Sequence, residues 1–228
     1  MPMRLRSRFK LGFVLLFVVG CAGSLETQAR MFRHFGEAHR IQSAAIFGRL
    51  EAAREAATQL GDGAAMRGMP DRSDGYVQSL RDAAEAVENA ESAGSLPYLS
   101  AQVANRCGAC HATFEKGPAF GVGYVEQTTD LGGHMAVHSW ASERMWEALV
   151  SRNDEVWAAG AKALSGRPID SHEFDSMVSD QGSAFLLSSR AHYLAKSSTQ
   201  LNGWEERAGL LSRLSSTCLE CHILAGIR

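Results

Sequence analysis

Residues 95–116, SLPYLSAQVANRCGACHATFEK, and residues 202–222, NGWEERAGLLSRLSSTCLECH, decide the fold. Each is a helix-favouring run that closes on the same five-residue pattern. The first pattern is Cys107-Gly108-Ala109-Cys110-His111, the second Cys218-Leu219-Glu220-Cys221-His222. On a helix, positions i, i+3 and i+4 share a face, so both thiols and the imidazole are presented together. C-x-x-C-H is the spacing of c-type haem attachment. Two thiols add to the vinyl groups of one haem, and the adjacent histidine supplies the proximal nitrogen to iron.

Other chemistries use paired cysteines. Four cysteines of an exported chain can form two disulfides. A C-x-x-C pair can be a redox dithiol, and two pairs can hold one zinc. None of these explains a histidine after the second cysteine both times. The chain holds only five Cys and eight His in 228 residues, so a double coincidence is improbable. The expectation is two covalent haems, on Cys107 and Cys110 and on Cys218 and Cys221, with His111 and His222 as proximal ligands.

The fifth cysteine belongs to an export signal. Arg4, Arg6, Arg8 and Lys10 precede a short apolar run, Leu11 to Val19. The run falls short of the roughly 20 residues a membrane span needs and has the pattern of a secretory signal peptide. It ends Val18-Val19-Gly20-Cys21, which resembles a bacterial lipobox with Cys21 as the acylated residue. Residues 1–20 are thus read as a signal peptide, and the mature chain as periplasmic and lipid-anchored to a membrane. An ordinary cleaved signal is the alternative. Removing these residues takes away four basic side chains and no acidic one, leaving 19 basic against 25 acidic. That balance argues against a nucleic-acid partner.

With 45% hydrophobic and 21% charged residues the chain is globular, not disordered. Its richness in Ala, Leu, Glu and Arg leans to helix. The motifs lie 111 residues apart, which prompts a search for a repeat. Met31–Leu60 aligns with Met135–Leu164 at a shift of 104. Met31/Met135, His34/His138, Arg40/Arg144, Ala44/Ala148, Glu51/Glu155, Ala57/Ala161 and Leu60/Leu164 match. The fold class expected is all-α, as two tandem up-down four-helix bundles, residues 25–116 and 134–228, joined by a Gly-containing linker over 117–133. In the first half, helices are expected over 25–47 (stopped by Gly48), 49–60, 74–90 and 95–114. In the second they are expected over 134–151, 153–164 (capped by Asn153), within 172–197, and over 202–222.

The segment Cys107 to Lys116, with Phe114 three residues after His111, resembles the C-x-x-C-H-x-x-F-R/K signature of the cytochrome c-prime family. These are four-helix-bundle haem proteins of the bacterial periplasm. The chain departs from that pattern in having two bundles, Glu115 in place of a basic residue, and a short tail, Ile223 to Arg228, after the second motif. The resemblance implies a haem inside each bundle.

In an up-down bundle the first helix starts beside the end of the fourth, where the haem is attached. Met31, His34, Ala38, Ile41 and Ala45 share one face of that helix, and Met135, His138, Ser142, Met145 and Leu149 repeat it. The resemblance favours Met31 and Met135 as distal ligands, or an open sixth position. The residues favour His34 and His138, because a core-facing imidazole needs a partner and is the stronger ligand to ferric iron. Hydrogen bonding to propionates by these histidines, or plain packing by the methionines, are the bland alternatives. His39, His134, His172 and His192 have no counterpart in the other half and read as surface or loop residues. The four tryptophans all fall in the second half and read as core.

The function these features imply is electron transfer by a dihaem carrier that meets a redox partner protein and is not itself an enzyme. The second reading is a binder or sensor of nitric oxide or carbon monoxide at an open haem site.

Overall fold

The computed structural model describes the backbone of residues 10–62, 71–126, 130–166, 168–174 and 178–227. Side chains are described from residue 28 onward, apart from those of Asp71, Ser171 and His172. Among these residues the protein is all-helical, with no strand. The α-helices are α1 (Lys10–Phe47), α2 (Leu50–Gly61), α3 (Asp74–Glu88), α4 (Leu96–Phe114), α5 (Leu131–Ser151), α6 (Asp154–Leu164), α7 (Gln181–Ser197) and α8 (Trp204–Leu224).

The expected helices are present, and the largest differences lie at their starts. α1 begins at Lys10 rather than Leu25, because the apolar run of the expected signal segment is itself helical. Residues 1–9 and the Cys21 side chain lie outside the described residues, as do residues 63–70 between α2 and α3. α5 begins at Leu131, ahead of the expected His134, because the Asp130 carboxylate accepts from the Gly133 N–H at 2.8 Å and caps the exposed first turn. Asn153 caps α6 as its side chain suggested, accepting from the N–H groups of Glu155 and Val156 at 2.9 and 3.1 Å. No helix among the described residues is long and apolar enough to cross a membrane.

The two first helices end in the same way. Arg49 N–H bonds to Ala44 O at 2.9 Å, and Asn153 N–H bonds to Ala148 O at 3.2 Å. In each case the chain turns through a left-handed residue, Gly48 at φ 66° and Arg152 at φ 53°. This is the Schellman closure of a helix C-terminus, at positions related by the 104-residue shift.

α1 packs on α2, α2 on α3, α3 on α4, and α4 back on α1. α5, α6, α7 and α8 contact one another in the same cyclic order. The halves also pack together, through α4 against α8, α4 against α5, and α1 against α8. One hydrophobic core therefore draws Ile41, Leu60 and Val103 from the first half and Trp146, Leu149 and Leu211 from the second. Trp146 is wholly buried, and its ring lies 5.6 Å from that of Phe35. Phe120, in the expected linker, also packs on Phe35, with ring centroids 5.4 Å apart. The connection is laid along the core rather than hanging free of it. Trp157 is buried as expected, while Trp140 and Trp204 only border the core.

Candidate functional site

Both five-residue motifs lie in the last turns of helices, α4 and α8, where the 3-4 spacing puts two thiols and an imidazole on one face. All four cysteines are free thiols. Burial pushes Cys107 and Cys218 up to about 12, with the neighbouring cysteine adding to the shift. Cys110 and Cys221 are raised by burial as well. Burial thus favours the protonated thiol over the thiolate at all four positions. Among the described residues no three His, Cys, Asp or Glu side chains converge as for a metal ion, so the two pairs do not share a tetrahedral site.

The motif histidines are fixed across the boundary between halves. His111 Nδ1 lies 2.8 Å from Val150 O, near the end of α5. His222 Nδ1 lies 3.0 Å from Ile46 O, near the end of α1. Val150 and Ile46 are themselves related by the 104-residue shift. A carbonyl can only accept, so each Nδ1 carries the proton and each Nε2 keeps its lone pair free for a metal. The last carbonyls of a helix have no partner within it, and here the imidazoles supply the donors. Phe47 stacks on the His222 ring at 4.7 Å and 7°, which further fixes its plane.

The sequence expectation about the opposite face also has a counterpart. His34 is buried, with 8% of its surface exposed, and its Nε2 has no hydrogen-bond partner. Its pKa is lowered by burial first, then by the charges of Arg33 and His111. His138 stands at the same register of α5. Burial, then the charges of His192, His134 and His222, push it down to about 3. Burial thus holds both histidines towards the neutral form, the form that ligates metals. The two methionines are placed differently. Met31 is only partly buried. Met135 packs against a separate small apolar cluster of Ile169, Phe174, Val178 and Ala184.

No family model, curated protein or solved structure matches the chain. The site must be read from its own chemistry.

The residues present fit a covalently attached haem in three respects. Thiols at i and i+3 are unpaired, an imidazole at i+4 has its Nδ1 already bonded and its Nε2 free, and a further histidine stands at the same register of the first helix of each half. An orphaned buried nitrogen such as His34 Nε2 costs free energy unless something absent from the bare chain accepts its lone pair.

Two expectations are corrected. His192 is not a surface residue. It is 7% exposed, its Nδ1 is 3.0 Å from Gly166 O, and its Nε2 is 3.0 Å from His138 Nε2. The face of α7 formed by Ser188, Ala191, His192 and Ala195 is buried, and its i, i+3, i+4, i+7 pattern was the signal that could have placed it. His134 is also part-buried, with Nδ1 3.0 Å from Glu173 Oε2. His39 is half-exposed beside Glu143, as expected of a surface residue. The His172 side chain lies outside the described residues.

Proposed function

We propose that the chain is an exported dihaem c-type cytochrome whose work is electron transfer, built as two tandem four-helix bundles over residues 25–116 and 134–228. Cys107 and Cys110 hold one haem and Cys218 and Cys221 the other, with His111 and His222 as proximal ligands. The observation that carries this reading is the duplicated fixing of the motif imidazoles. In each half the motif histidine has its Nδ1 bonded to a helix-end carbonyl, which leaves Nε2 free, and a second histidine stands at the same register of α1 and α5. The haem supplies a one-electron iron centre, and the chain supplies axial ligands, burial and spacing, which set its potential. The resemblance to the cytochrome c-prime family supports the same reading. The lipobox-like Val18 to Cys21 supports anchoring at a membrane face, where a redox partner protein would be met.

The first half is read as six-coordinate, with His34 distal. In the second half a specific observation favours the gas-binding alternative. His138 Nε2 is already engaged with His192 Nε2, so its ligation there would require that contact to be given up.

Optical spectra of the purified, haem-loaded protein, with carbon monoxide added to the reduced form, test both. Two haems per chain, both low-spin and indifferent to carbon monoxide, support the carrier. One responsive haem, abolished with loss of Cys218 and Cys221, supports an open second site. A protein that takes up no haem on export with a haem-attachment system sinks the proposal.

A further inference from the structure

The two halves of the chain meet at their haem motifs, and they do so reciprocally. The His111 imidazole of the first half bonds to Val150 O of the second, and the His222 imidazole of the second bonds to Ile46 O of the first. Neither half offers its own motif histidine this bond.

The close approach is built into residues flanking each contact. A Cβ on Gly108, inside the first motif, would fall 2.0 Å from Leu149 O and 2.8 Å from Arg152 Nε. The equivalent motif position in the second half is Leu219, and there the room comes from the other side. A Cβ on Gly48, at the end of α1, would fall 2.9 Å from Leu219 Cδ1. Gly108 faces Arg152 and Leu219 faces Gly48, so one small and one large residue meet at each junction, exchanged between motif and helix cap.

The first junction is also clamped by polar bonds. Arg152 Nη2 donates to Asn105 O at 2.8 Å and Asn105 Oδ1 at 2.7 Å. Asn105 lies in α4, two residues before the motif, and its Nδ2 bonds to Glu205 of α8. Arg152 is thus a second-half residue that holds the first-half motif helix against α5.

We infer that each half of the chain completes the proximal site of the other, with Val150 O and Ile46 O as positioning groups for His111 and His222, and with Arg152 holding the first junction in register. The inference rests on the haem reading above. A hydrogen bond from Nδ1–H raises the basicity of the ligating nitrogen, which favours ferric iron and lowers the potential. Each haem potential is therefore set by contacts from the opposite half.

The test is Arg152→Gly in the full haem-loaded protein. Glycine accepts the left-handed φ of 53°, so the turn survives while the clamp on Asn105 is lost. The potential of each haem is read by redox titration followed by paramagnetic NMR, with the first-half haem identified by its altered signals in His34→Ala. The expected result is an upward shift for the haem on Cys107 and Cys110 and no shift for the haem on Cys218 and Cys221, although Arg152 lies in the second half. A shift confined to the second haem, or none at all, overturns the inference. A second measurement needs no variant. In the parent protein the Nδ1 protons of His111 and His222 should exchange with solvent slowly, as protected hydrogen-bonded protons do. Exchange at the rate of an open imidazole overturns it equally. Failure of the haem reading is seen separately, as a purified protein with no haem spectrum.

Discussion

At the scale of single residues, His34 carries the most weight. It is buried, neutral and without a partner at Nε2, while Met31 in the same helix is only partly buried. Under the dihaem proposal, His34→Ala should give a high-spin first-half haem that binds carbon monoxide, whereas Met31→Leu should leave the spectrum unchanged. The optical spectrum of each variant checks this, and a high-spin product from Met31→Leu would transfer the distal role to the methionine. Glu147 makes a different prediction. It is buried, its carboxylate lies 2.7 Å from Arg144 Nη2, and burial, only partly offset by Arg144, pushes it up from 4.5 to about 7. Between those values the folded chain keeps a proton that the unfolded chain releases. Its contribution to stability therefore falls as pH rises from about 4.5 to about 7. Glu147→Gln cannot titrate, so its stability relative to the parent should improve across that window. Thermal unfolding at a series of pH values measures the difference, and a constant difference would contradict the assignment.

At the scale of helices, the ends were the most readable features. Asn153, placed as a cap from its type alone, bonds two N–H groups of α6, so Asn153→Ala should cost about 1 kcal/mol in chemical denaturation. Glycines inside helices divide by what surrounds them, which no sequence pattern announces. Gly160 in α6 leaves no room, since a Cβ would meet Ala141 O at 2.7 Å and Met145 Cγ at 2.9 Å. Gly209 in α8 has nothing within 4 Å. Gly209→Ala should therefore stabilise by up to about 1 kcal/mol through helix propensity. Gly160→Ala should destabilise despite the same propensity gain, because α5 and α6 must separate. Denaturation midpoints of the two variants should move in opposite directions.

At the scale of the whole molecule, the halves share one core through Trp146, Phe35 and their neighbours. They should unfold as one unit. The tryptophans provide a direct check, because all four lie in the second half, between residues 140 and 204, and Trp146 also touches Phe35 of the first. Circular dichroism reports helices of both halves. In urea the fluorescence and dichroism transitions of the protein should coincide. A fluorescence transition displaced from the dichroism would mean that each half is stable without the other.

The pattern of residues along the chain set the helical class, most helix ends, and the register that puts His34 and His138 on the core-facing side of their helices. Those follow from local rules, namely the 3.6-residue period, capping side chains and breakers, which act within a few residues and leave a legible pattern. It also set the two motifs and the 104-residue repeat. Helix packing placed His192 beside His138 and brought His111 and His222 each to a carbonyl of the opposite half. A backbone carbonyl has no residue type to betray it. The oxygens of Ile46 and Val150 matter because a helix leaves its last carbonyls unpaired, and what fills them depends on which chain segment packs there. That choice rests on contacts more than a hundred residues apart in sequence for His222 and Ile46, and side-chain periodicity carries no information at that distance.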